Sequence, residues 1–141
     1  MLGRLELPIL EALATLEGEE IMSFIEFETW RVQAGNEADH DQMIRDWFAF
    51  VRDNHADLFA EWKSARYFRQ TNRDGTPTGT YIMLFEFHTH EGYHAYKERR
   101  KNWDGPYEAY KAVDPYALFE PNSVTTEFWQ PQETDLWFEF P

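Results

Sequence analysis

The sequence predicts an α+β domain of order β-α-β-β-α-β, with helices laid on one face of an antiparallel sheet. Three observations carry this. Short runs rich in β-branched and aromatic residues alternate with longer stretches of helical period. Gly, Pro, Asn or Asp mark breaks at Ala34-Gly35, over residues 72–79, at Asp104-Gly105-Pro106 and at Asp114-Pro115. The two middle runs are joined by an Asp-Gly turn, which reads as a hairpin. At 141 residues the chain is one domain's worth, long enough for an ordinary core without metals or disulfides.

Residues 1–22 read as an N-terminal helical extension. Pro8 suits a first turn, Ile9, Leu10, Leu13 and Leu16 share a stripe, and Gly18 is a natural stop. The core domain is expected over 23–131. Its first strand is SFIEFETWRVQ, Ser23 to Gln33, broken by Ala34-Gly35. Asn36 can cap the next segment, where Met43, Ile44, Trp47, Phe48, Val51, His55, Leu58 and Phe59 keep helical spacing over about five turns.

Trp62 to Gln70 is the second strand and Thr80 to His88 the third. A second helical region opens at Thr89, places Tyr93, Tyr96, Arg100 and Trp103 on one side, and is interrupted at Asp104-Gly105-Pro106. Tyr107, Tyr110 and Val113 continue helically until Asp114-Pro115. Val124 to Gln130 is the fourth strand. In the tail, 132–141, Leu136, Phe138 and Phe140 alternate with Trp137 and Glu139, which allows a short fifth strand.

This order is that of the ferredoxin-like βαββαβ sandwich. Helices cover one face of its sheet. Strands one, three and four carry aromatic or aliphatic residues on both faces, so the second face is expected to meet a second copy of the chain in a homodimer.

Composition narrows the function. A 43% hydrophobic and 18% aromatic chain is not disordered. Without cysteine there is no disulfide scaffold, thiolate metal site or cysteine nucleophile. A formal charge of −13 repels phosphate backbones and anionic lipid, so neither nucleic acid nor a membrane is an expected partner. Glu6, Glu11 and Glu17 interrupt the N-terminal leucines, leaving no signal peptide or membrane span, and a cytoplasmic location is expected. The absence of a Gly-x-Gly-x-x-Gly, a phosphate loop or a nucleophile elbow removes nucleotide-dependent chemistry and serine hydrolysis. No cofactor is expected.

The candidate site residues lie on the strands. Alternation puts Glu26 and Glu28 with Phe24 and Trp30, and puts Glu86 with His88. Strands one and three are central neighbours in this fold, so these carboxylates and the imidazole are expected to converge, with Arg66 joining them. Crowded carboxylates beside a histidine suit acid–base chemistry, and Glu86 and His88 are the expected proton-transfer pair. Trp30 and Arg66 would position a ligand. Six tryptophans and seven tyrosines exceed what a small core needs, and Tyr67 and Trp129 join the expected binding set for a flat aromatic or apolar molecule.

Glu86, His88 and His90, with His94 a turn later, have the composition of a metal site. Thr89 reads as a helix cap that takes His90 off the strand, and no metal is assigned. His40 and His55 read as neutral histidines at the core edge, each with one hydrogen-bonded nitrogen. Arg99, Arg100 and Lys101 read as a solvated helix face.

FETWRVQAGN at the end of strand one, Trp47 and Phe48 on the long helix, YIMLFEFHTHEGYHAYKERRKNW, and VTTEFWQP together resemble the dimeric α/β-barrel superfamily over 23–131. The NIPSNAP-like group is nearest, through the glycine turn after strand one and the Arg-rich helix leading to Trp103. Antibiotic-biosynthesis monooxygenases belong to the same superfamily. The resemblance implies a homodimer with a cavity between sheet and helices or within the barrel. It also implies a cofactor-independent monooxygenase or isomerase acting on an aromatic or apolar substrate. The superfamily's haem-degrading members use Asn, Trp and His where this chain has Trp30, Phe87 and Tyr96, so haem cleavage is not implied. A non-catalytic binding or assembly module with a packed barrel is the rival reading, and a metal-dependent enzyme using Glu86, His88 and His90 is a third.

Overall fold

The computed structural model describes residues 23–102 and 104–141. The expected N-terminal helix and Trp103 lie outside the described residues. The elements run β1 (Phe24–Arg31), α1 (Glu37–Asp53), α2 (His55–Leu58), β2 (Trp62–Thr71), β3 (Pro77–Phe87), α3 (His90–Arg100) and β4 (Thr125–Trp129). Short 3-10 segments span Gly105–Val113, Pro115–Leu118 and Thr134–Leu136. The four strands form one antiparallel sheet in the order β2-β3-β1-β4, as the βαββαβ reading requires. Among the described residues, no helix is long and apolar enough to cross a membrane.

Three local expectations are corrected. The long helix stops at Asp53, where the Asn54 side chain donates to the Phe50 carbonyl at 2.8 Å alongside its own backbone N–H at 3.0 Å. The stretch after Pro106 is 3-10 rather than α. Tyr107, Tyr110 and Val113 recur every three residues, and only three residues per turn stacks them on one side. In the tail, residues 137–141 form no strand, since a strand needs a paired neighbour and the tail has none among the described residues. Leu136, Trp137, Phe138 and Phe140 are left exposed.

The β3 hairpin closes through glycines that take the left-handed backbone. Gly79, at φ +90°, lies under the Arg31 guanidinium, which donates to the Thr78 carbonyl and to Thr80 Oγ1. A Cβ at residue 79 meets Arg31 Nη2 at 2.9 Å in a backbone region costly for L-residues. Gly79→Ala is expected to lower stability by about 1–2 kcal/mol, read from the midpoint of urea unfolding. An unchanged midpoint would show that the turn relaxes freely.

The core lies between the sheet and the helices. Phe59 is fully buried and meets Phe50, Trp62, Tyr96, Tyr107 and Tyr110 at ring distances of 4.9 to 6.3 Å. Trp30, 2% exposed, stacks on Phe119 at 4.7 Å and donates its indole N–H to His40 Nε2 at 3.0 Å. Indole nitrogen only donates, so His40 carries its proton on Nδ1, 3.6 Å from the Asp41 carboxylate. Burial lowers the His40 pKa, against a pull upward from Asp41. His55 Nε2 bonds the Trp62 carbonyl at 2.8 Å. Each has one hydrogen-bonded ring nitrogen, as expected, but His40 is fully buried within the core and His55 is exposed rather than either lying at the core edge.

Arg99 and Arg100 are not a solvated face. Arg99 pairs with Glu61 and donates to the Leu58 carbonyl and the Tyr107 hydroxyl, tying α3 to the start of β2. Arg100 turns toward Asp114 at 3.5 Å, with both side chains largely buried. Only Lys101 of the three answers the expectation: it is exposed and pairs with Glu98, one turn back.

Candidate functional site

Register decides which side chains share a cavity. β1 pairs with β3 so that Glu26 stands opposite Phe85, Glu28 opposite Met83 and Trp30 opposite Tyr81. Paired residues share a face, so the even-numbered side chains of β1 and the odd-numbered ones of β3 look toward the helices. α3 then contributes Tyr96, Lys97 and Arg100, the 3-10 segments contribute Tyr110 and Tyr116, and Asp114 stands at the junction of the two. These groups line a cavity of about 30 Å³, room for roughly one or two waters.

Three carboxylates and two cations meet there. Lys97 Nζ lies 3.9 Å from Glu26, which is 4% exposed. The Tyr116 hydroxyl sits 2.8 Å from both Oε1 and Oε2 of Glu28. The Arg100 guanidinium lies 4.6 Å over the Tyr110 ring and donates to the Tyr96 hydroxyl. The Tyr110 hydroxyl accepts from the Trp47 indole at 2.7 Å.

Burial pushes Glu28 above the usual carboxylate range; the Tyr116 hydrogen bond opposes this and the nearby Glu26 reinforces it. Asp114 is raised by burial too, against the Tyr116 amide and Arg100. Burial pushes the Tyr110 phenol up to about 12 and raises Tyr96 and Tyr116 as well. A carboxylate held closer to neutrality, beside fixed cations and protonated phenols, is equipped to take up and return a proton.

Of the residues singled out in the sequence, Glu26, Glu28 and Trp30 line this cavity. The expected convergence with Glu86, His88 and Arg66 does not occur. Glu86 pairs with Ile25, and Arg66 with Leu84, on the opposite face of the sheet. Glu86 accepts from Ser64 Oγ at 3.1 Å and lies 4.0 Å from Lys63, while the Arg66 guanidinium sits over Phe68. His88 is exposed beyond the end of β3. Trp129 is on that same outer face, 57% exposed and edge-on to Phe27. Tyr67 faces the helices, 6.2 Å from Trp30, but lines a separate groove. A shift of one residue separates the two outcomes, because alternation has a period of two.

Thr89 caps α3 by accepting from the Gly92 amide, which carries His90 onto the helix. His90 and His94 then meet at 3.0 Å between their Nε2 atoms, one turn apart, while Glu86 stays in the sheet. Among the described residues, no three His, Cys, Asp or Glu side chains cluster to hold a metal ion. The site residues that sequence reasoning missed are Lys97, Arg100, Tyr110, Asp114 and Tyr116. Their one signal was Asp114-Pro115-Tyr116, where Asp114 caps a turn by accepting from the Tyr116 amide and so swings the tyrosine over β1.

No family model and no curated protein matches the sequence. Solved structures do match the fold. One is a NIPSNAP family protein of unknown function from Agrobacterium tumefaciens, at 15% identity and a TM-score of 0.56, covering 81% of this chain and 92% of that one. SnoaB, a cofactor-independent oxygenase from Streptomyces nogalater, matches at 12% identity and a TM-score of 0.53, covering 80% and 96%. The ActVA-Orf6 monooxygenase of Streptomyces coelicolor, in complex with the ligand nanaomycin D, matches at 16% identity and a TM-score of 0.54, covering 80% and 90%. The chain shares the fold of these NIPSNAP and monooxygenase proteins, which bears out the resemblance at the level of structure.

Proposed function

We propose that this protein binds a small aromatic or apolar molecule at the Glu26–Glu28–Asp114 cavity and acts on it by cofactor-independent monooxygenase or isomerase chemistry. The observation that carries the proposal is Glu28, a carboxylate raised by burial and capped on both oxygens by the Tyr116 phenol. In this reading Tyr116, 46% exposed, yields its place to the ligand, and the small cavity opens toward the space it vacates. Glu28 takes a proton from an acidic O–H or C–H of the substrate. Arg100 and Lys97 stabilise the anion that results. Return of the proton elsewhere isomerises the substrate, whereas a carbanion that gives its electrons to dioxygen forms a C–O bond; the resulting peroxide takes a proton, its O–O bond breaks, and water leaves with the remaining C–H proton to give a carbonyl. That solved structures of the same fold include a cofactor-independent oxygenase supports the second route.

The outer face supports a homodimer. Ile25, Phe27, Phe68, Ile82, Leu84 and Trp129 share it by register, an apolar sheet surface suited to a twin. Glu86 and His88 then belong at or near the subunit interface rather than to the proton-transfer site. Sedimentation at micromolar concentration is expected to give a dimer, and a stable monomer would remove this part of the proposal.

Glu28→Gln tests the chemistry. Turnover of a hydroxyaromatic panel in air is expected to fall by about 10²–10⁴-fold, the range of a lost general base. Stability moves the other way. A carboxyl group whose folded pKa lies above its ordinary 4.5 is destabilised by ionisation as pH rises through that window, so the neutral amide is expected to be at least as stable at pH 7. Undiminished turnover in a folded Glu28→Gln variant would overturn the assignment.

A further inference from the structure

A second site lies outside this cavity, between α1 and the edge strand β2. Asp41, Arg45, Phe48 and Arg52 recur at intervals of four, three and four along α1 and so form one stripe facing β2. β2 answers with Ala65, Tyr67 and Arg69, alternate residues on its helix-facing side. Where these meet is an open groove of about 630 Å³, rimmed by Arg66. It continues into a second hollow of about 300 Å³ that shares Phe48, Arg52 and Ala65 and adds Lys63.

The charge there is opposite to that of the molecule. Acids outnumber bases 26 to 13 in the chain, yet four arginines and one aspartate line the groove. That aspartate, Asp41, already faces His40 Nδ1. Among the described residues, Arg45, Arg52, Arg66 and Arg69 make no ion pair, whereas Arg31, Arg99 and Arg100 all do. The floor is apolar and aromatic: the Arg52 guanidinium sits 5.7 Å over the Phe48 ring. Among the described residues, the buried Tyr67 hydroxyl has no hydrogen-bond partner. Guanidinium groups beside an apolar, aromatic floor match an anionic head group on an apolar body.

We propose that this groove binds a small amphipathic anion, an aromatic or aliphatic body bearing a carboxylate, sulfonate or phosphate. The anion lies against Phe48 and Ala65, and its charged group is held by Arg45, Arg52 and Arg69. The groove is on the helix side of the sheet, so a twin seated on the outer face leaves it open.

The test uses 8-anilinonaphthalene-1-sulfonate with the native protein, and N-phenyl-1-naphthylamine as its uncharged analogue. The sulfonate is expected to bind one per protomer, to weaken as salt rises, and to be displaced by decanoate or phenyl phosphate. Whichever of these competes better identifies the source of the anion. The Arg45→Ala/Arg52→Ala variant is expected to lose about tenfold in affinity with an unchanged near-UV circular dichroism spectrum, and Arg45→Lys/Arg52→Lys to recover part of it. Equal binding of the uncharged dye, or sulfonate affinity unchanged in the alanine variant, would overturn the proposal.

Discussion

Trp30→Ala is expected to cost about 3–5 kcal/mol, much of the 5–15 kcal/mol that holds a typical domain together. Trp30 sits at the crossing of β1, α1 and the segment before β4, stacked on Phe119 and near-parallel to Tyr67 and Tyr81 at 6.2 and 6.5 Å. Its removal opens a large cavity and strips His40 Nε2 of its donor at the same time. The urea midpoint should collapse. A shift of less than about 1 kcal/mol would mean that the aromatic cluster closes over the gap.

Trp30→Phe separates packing from the hydrogen bond. The ring remains, the N–H is lost, and about 1–3 kcal/mol should go with a buried acceptor left unpaired. The pH response distinguishes the two contributions. Because the folded-state pKa of His40 lies below its ordinary 6.5, the unfolded chain takes up the proton first as pH falls, and stability declines below about pH 6.5. Without the opposing indole N–H, protonation of Nε2 is less costly, the pKa rises, and this acid slope should flatten. A slope as steep as in the native protein would assign the depression to desolvation alone.

Arg100→Ala should produce the second large effect, about 3 kcal/mol at pH 7. Arg100 and Asp114 are only 15% and 12% exposed, and deleting the guanidinium leaves Glu28 and Asp114 facing Lys97 alone as a counter-charge in that cavity. Asp114 already stands above its ordinary 3.8 through burial, and the variant should raise it further. The loss is therefore present above the raised pKa and shrinks as pH falls through it, since a neutral carboxyl group needs no partner. Arg100→Ala/Asp114→Asn should recover much of the stability at neutral pH. A deficit that ignores pH and survives the second substitution would place Arg100's contribution in its packing on Tyr110.

Local chemistry made most of the elements legible. The Met43-to-Val51 stripe buries Ile44, Trp47 and Val51 as its spacing predicts, and Thr89 caps α3. Local contacts that periodicity does not register accompany the errors. Asn54 fits a helical pattern, yet the helix ends before it, with its side-chain amide on the Phe50 carbonyl. Tyr107, Tyr110 and Val113 fit an α-helix or a 3-10 helix, and only the Gly-Pro entry and the need to face one core select the latter.

For the site, the sequence alone determined the residue kinds and their alternation: Glu26, Glu28 and Trp30 had to share one face of their strand. Tertiary structure decided which face met which. A period of two allows either phase, and the choice belongs to the pairing of distant strands, where Glu28 falls opposite Met83 rather than one residue away. It also decided that Arg100, Asp114 and Tyr116, separated from Glu28 by more than seventy residues of chain, close over it. Chain spacing carries no signal for such a contact, because burial of the aromatic core around Tyr96 and Tyr110 folds those segments together.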